Sequence, residues 1–161
     1  MTKSLKTKTA YAWASWFGFG FAPVASGTVG SFMALPLAWA VFRFYGSLGI
    51  IVASLITFVS GWMATREVLK YTEEDPSLVV IDEVVGQTLS FVFLSFFGIT
   101  SLSVWLLLGG FILFRFFDII KVWPASFFDK KVHNAFGVMM DDVVAGFYAA
   151  LVLTLIYYFM R

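Results

Sequence analysis

Residues 29–64 read VGSFMALPLAWAVFRFYGSLGIIVASLITFVSGWMA, two apolar stretches joined at Tyr45-Gly46-Ser47, with Arg43 as the one charged side chain. Each stretch, 29–45 and 48–64, falls a little short of the roughly 20 residues a full membrane span needs. Together they read as a helical hairpin. Working outward, three more charge-poor stretches follow at 84–97, 102–117 and 143–160. The shortest, 84–97, begins with polar residues, so its start is expected to be buried in protein rather than to face lipid. Before the hairpin, residues 11–21 carry Trp13 and Trp16 and read as an interfacial or re-entrant segment with its indoles at headgroup depth. The preceding lysines give the start of the chain a signal-peptide look. Gly18, Gly20 and Pro23 interrupt the apolar run too early for that, and the segment is expected to stay in the mature protein. The expected fold class is all-α: a polytopic helical membrane protein of one domain with about four to five membrane helices.

Composition agrees. The 161 residues are 60% hydrophobic and 20% aromatic, with twenty Phe and six Trp, and only 13% are charged. A soluble domain carries about twice that charged share and has nowhere to hide so much apolar surface. A soluble helical bundle is the minor alternative, since some spans are short. A net charge of +1 without a basic run argues against nucleic-acid binding. The absence of cysteine removes disulfides, thiolate metal sites and a Cys nucleophile together.

Alternation of the spans sorts the charges. Lys3, Lys6, Lys8, Arg66, Lys70, Arg115, Lys121, Lys130 and Lys131 fall on one face, and only Arg43 and Arg161 on the other. The positive-inside bias makes the first face cytoplasmic. All ten acidic residues fall on that face as well.

Four groups on that face could carry chemistry. Asp82 and Glu83 open the third stretch. One acid there would be an ordinary partner for the helix dipole, but two beside a membrane segment are costly unless paired or metal-bound. Gly86, three residues on, would admit a close neighbour. Arg115, Asp118 and Lys121 are spaced by three and form a stripe that Pro124 is expected to end; an ion pair with a snorkelling lysine is the bland reading. Asp141 and Asp142 precede Gly146, and capping accounts for one of the two but not both. Ser26 to Ser31 (SGTVGS) places hydroxyls and free amides at a helix start, a plausible anion site that is weak evidence alone. Hard oxygen donors, no Cys and a single His favour Mg²⁺ or Mn²⁺ over Zn²⁺. Acids for a divalent cation, nearby cations and an anion site suit phosphate ester chemistry, with the metal neutralising phosphate and activating water.

Four segments also carry a family resemblance: 23–31 (PVASGTVGS), 80–86 (VIDEVVG), 114–124 (FRFFDIIKVWP) and 128–146 (FDKKVHNAFGVMMDDVVAG). In this order and spacing the chain resembles the phosphatidylglycerophosphatase A family, bacterial membrane enzymes that take the terminal phosphate from phosphatidylglycerophosphate. The resemblance implies a Mg²⁺-dependent phosphatase in the bacterial inner membrane, working at its cytoplasmic face in phosphatidylglycerol synthesis. The matching acids are Asp82, Glu83, Asp118, Asp141 and Asp142, which become the expected metal set. Glu83 and Asp142 are expected to be most essential to catalysis, with Asp82 and Asp141 beside them. Ser26, Thr28, Arg115, Lys121 and His133 become the expected substrate contacts, and Asp129 is a further matching polar position. The chain departs from the family pattern at Val122, where Pro is common, and at Asn134-Ala135, where a Gly pair is favoured. Asn134 is expected to keep a left-handed turn there.

A single His excludes the paired-His phosphatase mechanism. Two other classes compete: a divalent cation transporter, which would need acids along a route between the faces, and an assembly subunit whose acids are solvated loop charges.

Overall fold

The run Ser26–Val68 forms a 43-residue helix, α2, broken at Gly46, whose φ of 58° and ψ of −148° belong to a region that only glycine enters freely. In a straight helix Gly30 and Gly61 would lie about 46 Å apart. Instead a Cβ on Gly30 would come within 2.7 Å of Val80 Cβ, and one on Gly61 within 2.9 Å of Ile81 Cγ1. Two consecutive residues meet both arms, so 26–45 and 47–68 are the antiparallel hairpin expected. This geometry is that of a computed structural model, which describes residues 5–72 and 77–160; these are helical, with no strand. Lys3, Arg161 and the loop acids Glu73, Glu74 and Asp75, which entered the charge tally, lie outside the described residues.

The other helices are α1 (Leu5–Ala14), α3 (Ile81–Leu89), α4 (Val104–Ile120), α5 (Ala125–Lys131) and α6 (Ala135–Met160). Three differ from expectation. The segment at 11–21 is not one helix: α1 starts earlier and stops at Ala14, and positive φ at Trp16, Phe17 and Gly18 turns the chain into a short 3₁₀ turn, Phe19–Phe21. α1 lies along the second arm of α2, where Trp13 Nε1 donates to Ser60 Oγ at 3.1 Å. The stretch 84–97 is not one helix either. α3 has only 9 residues, and turns and a 3₁₀ helix, Leu94–Phe97, complete it. It tolerates this because the bundle encloses it: Asp82, Val84, Val85, Gln87, Phe91 and Leu94 are all buried. Finally, α6 begins eight residues before 143, and Asn134 Oδ1 accepts from Phe136 N at 2.9 Å and Gly137 N at 3.1 Å. Asn134 is therefore a helix cap, and it is not among the residues with positive φ.

α3 and α6 cross at two glycines. A Cβ on Gly146 would fall 2.2 Å from the Gly86 carbonyl oxygen, and one on Gly86 would fall 2.5 Å from the Asp142 carbonyl oxygen. Such close approach is how small residues pack helices where lipid supplies no hydrophobic drive. It also sets Glu83, three residues before Gly86, beside Asp142, four before Gly146.

Alanine fills much of the interior, including Ala14, Ala34, Ala38, Ala145, Ala149 and Ala150, whereas Phe44, Leu48, Ile56, Met63, Ile119 and Phe159 are exposed and Trp105 is 82% exposed. Large side chains such as Phe42, Phe91 and Phe114 also pack inside, and the many left on the outside suit a hydrocarbon solvent. By length and composition, α2 and α6 are apolar enough to cross a membrane.

Candidate active site

The two ends of the bundle differ. At one, Ser47 N donates to Ser95 Oγ at 3.0 Å, and Phe97 and Tyr158 meet edge to face with ring centroids 6.0 Å apart. At the other gather the start of α2, the start of α3, the end of α4, α5 and the first turns of α6, around a cavity of about 250 Å³. Ser26, Asp82, Glu83, Asp118, Lys121, Asp129, His133, Asp141 and Asp142 all line it.

Asp82 and Glu83 lie in the first turn of α3, where the helix dipole favours acids. The Asp82 carboxylate accepts from Glu83 N at 3.0 Å. Asp141 repeats this pattern, accepting from Asp142 N at 3.0 Å. This second pair sits more than a turn into α6, so capping explains neither acid, a step beyond the sequence reading. Consecutive helical residues diverge by about 100°, so Asp142 turns to α3 and Asp141 to Lys121.

The structure thereby divides the five expected metal ligands. One carboxylate oxygen each from Asp82, Glu83 and Asp142 lie within 4.8 Å of one another. Asp118 and Asp141 instead hold cations. Arg115 pairs with Asp118 at 2.6 Å, while Lys121 reaches Asp118 at 3.4 Å, Asp129 at 3.6 Å and, closest, Asp141. Pro124 does not end α4. The helix stops at Ile120, and Lys121, in a left-handed backbone (φ 52°), still reaches Asp118 along the expected stripe while lining the cavity. Burial alone would lower the Lys121 pKa, but the carboxylates of Asp142, Asp141 and Asp118 outweigh it and hold the group above its ordinary value.

Of the expected substrate contacts, Ser26, Lys121 and His133 line the cavity, and Ser26 Oγ donates to the Ser77 carbonyl at 2.6 Å. Thr28 and Arg115 do not line it. Arg115 is spent inside the protein, on Asp118 and on Ser31 Oγ at 3.4 Å. Ser77 is therefore a part of the site not singled out in the sequence, and Ser31, the end of the expected anion motif, serves Arg115 rather than the cavity. Ser31 lies four residues past Gly27, the spacing that puts both on one helix face.

Charge decides what the site can hold. Among the described residues six acids line the cavity, four of them buried, with ion pairs to Arg115 and Lys121 alone, and Glu83 Oε2 is buried without a hydrogen-bond partner. Buried carboxylates in such excess call for a cation, and an all-oxygen donor set suits a hard divalent ion. On this test Mg²⁺ fits Asp82, Glu83 and Asp142.

The model of the family described as "Phosphatidylglycerophosphatase A" matches residues 12–157, nearly the whole chain. The chain belongs to the phosphatidylglycerophosphatase A family. It is 36% identical over 145 residues to a phosphatidylglycerophosphatase A of Haemophilus influenzae, covering 89% of this chain and 86% of that one. It is 31% identical over 134 residues to the Escherichia coli protein of that name, covering 83% and 75%. A Bacteroides thetaiotaomicron protein described provisionally as a phosphatidylinositol-3-phosphatase is 36% identical over 144 residues, covering 83% and 84%. No solved structure matches the chain significantly. Membership confirms the resemblance drawn from the four segments, and family and relatives alike carry the names of lipid phosphatases.

Proposed function

We propose that this chain is a Mg²⁺-dependent phosphatase of the bacterial inner membrane that hydrolyses the terminal phosphate of phosphatidylglycerophosphate, giving phosphatidylglycerol and phosphate. The observation that carries the reading is the divided acidic cluster. Asp82, Glu83 and Asp142 converge with one carboxylate oxygen each inside 4.8 Å of the others, next to a lysine already aimed into the same cavity.

Asp82, Glu83 and Asp142 would hold the ion, which supplies charge neutralisation at the phosphate and lowers the pKa of water. Asp118, Asp129 and Asp141 hold the Lys121 ammonium where it can meet phosphate oxygens, so little reorganisation is needed on binding. Arg115 anchors Asp118 and acts on substrate only through it. Ser26 and His133, both in the cavity wall, are the remaining polar groups that a phosphoglycerol head would meet. The cavity is smaller than the roughly 300–1,000 Å³ of pockets that enclose a whole drug-sized ligand, which suits a headgroup whose acyl chains stay in lipid.

In this reading the two arms of α2, the segment 81–97, α4 and α6 make five crossings, α1 rests at the interface, and the acidic end faces the cytoplasm. The transporter reading is less favoured, because the described acids gather at one end, whereas the contacts at the other are between serines and between aromatic rings.

Detergent-purified protein should release phosphate from phosphatidylglycerophosphate with Mg²⁺, lose that activity in EDTA, and lose it in Glu83→Gln. Phosphatidylinositol 3-phosphate serves as the competing substrate, and faster turnover of it would reassign the specificity. No release from any lipid phosphomonoester by folded wild-type protein would overturn the enzyme reading.

A further inference from the structure

Behind the carboxylate triad, one helical turn deeper in the bundle, Gln87 is completely buried and neither atom of its carboxamide has a hydrogen-bond partner among the described residues. Four other buried side-chain atoms share that condition among the described residues, Ser54 Oγ, Thr88 Oγ1, Glu83 Oε2 and Arg115 Nε, and the last two flank Gln87 on the site side. Placement brings the three side chains together. Gln87 lies four residues past Glu83 in α3, so both leave the same face. Ser31 lies the same step past Gly27 in the first arm of α2. A Cβ on Gly27 would fall 2.2 Å from Glu83 Oε1 and 3.4 Å from an Arg115 guanidinium nitrogen, and that nitrogen donates to Ser31 Oγ. Arg115 thus joins the level of Glu83 to the level of Gln87.

The unsatisfied atoms are complementary. A carboxylate oxygen only accepts, a guanidinium nitrogen only donates, and a carboxamide does both. A buried glutamine kept for packing alone would be replaced to advantage by leucine, because its unpaired amide is costly. We propose that Gln87 is a positioning residue for Glu83: when a divalent cation binds, its Nε2 comes to donate to Glu83 Oε2 and its Oε1 to accept from Arg115 Nε, bonds the present arrangement leaves unmade, and these fix the carboxylate in the orientation that holds the ion. This rests on the metal reading above and extends it to a residue outside the cavity wall. Partners that orient a ligating carboxylate commonly matter to metal affinity nearly as much as the ligands do.

The test measures metal affinity directly, independent of turnover. Mn²⁺ binding to the detergent-purified full chain is followed by electron paramagnetic resonance, and thermal unfolding is recorded without metal. Gln87→Leu should weaken Mn²⁺ binding by roughly 10–100-fold while unfolding without metal stays at the wild-type temperature or rises. Thr88→Val, which removes a neighbouring buried hydroxyl that also has no partner, should leave Mn²⁺ affinity unchanged. Gln87→Met, closer in shape, is read alongside. Mn²⁺ affinity in Gln87→Leu within about twofold of wild type, against that expected loss, overturns the proposal and leaves the phosphatase reading standing. Loss of the fold in both Gln87 variants also overturns it, assigning Gln87 to packing. A wild type that binds no Mn²⁺ overturns this inference and the metal-dependent reading together.

Discussion

Lys121 is where backbone and chemistry meet at the scale of one residue. Its left-handed backbone ends α4 and turns the ammonium toward Asp118, Asp129 and Asp141. Burial opposes the charge and the carboxylates restore it, so its pKa lies above the ordinary lysine value of about 10.4. A raised pKa contributes stability that is complete below the unfolded-state value and is lost only as pH climbs through the folded one. Lysine titration should therefore cost neither stability nor activity between about pH 6 and 9. Lys121→Met should lower the rate of phosphate release by roughly 100-fold at saturating Mg²⁺, the scale seen when one preorganised donor is removed. A rate within a few-fold of wild type, in phosphate-release assays across that pH range, would remove Lys121 from the chemistry. Residue type and the family resemblance together marked Lys121, Ser26 and His133 as site residues. They equally marked Thr28 and Arg115, which do not line the cavity, because neither tells which way a side chain turns.

Among the helices, the crossing of α3 and α6 fixes the distance between Glu83 and Asp142. Gly146→Ala would put a methyl 2.2 Å from a backbone carbonyl oxygen, which cannot yield as a flexible side chain would. The helices must part, at a cost of about 1–3 kcal/mol typical of overpacking. The expected result is a lower unfolding temperature in detergent together with reduced phosphate release. Gly109→Ala, whose new methyl would meet only the flexible end of Leu153 at 3.2 Å, should leave both nearly unchanged. Equal behaviour of the two variants would dissociate the crossing from the site. Sequence pointed to Gly86 and Gly146 because each follows an acid at helical spacing. It did not show that the two glycines touch each other, since pairing of helices distant in sequence leaves no local pattern. The early start of α6 was missed for a related reason: Asn134 was read for its backbone tolerance, whereas its side chain caps the helix.

For the molecule as a whole, the lack of cysteine makes orientation directly measurable. Lys130 lies on the site end and Ser101 follows the turn at the other, and both are exposed. Under the proposed topology, Lys130→Cys should react with an impermeant maleimide in inside-out vesicles and Ser101→Cys in right-side-out cells. Labelling of both from one side would refute it. The protein should also resist extraction by alkaline carbonate, as its apolar outer wall requires.

The sequence by itself determined the helical class, the hairpin at Gly46, the gathering of acids toward one end and the family, because hydrophobicity, glycine placement and motif spacing are local properties of the chain. Tertiary structure decided which acids converge and which are neutralised. Asp142 faces Glu83 while Asp141 faces Lys121 because two glycines bring α3 and α6 into contact and successive helical residues point about 100° apart. That division is a property of helix packing, and no stretch of the chain contains it alone.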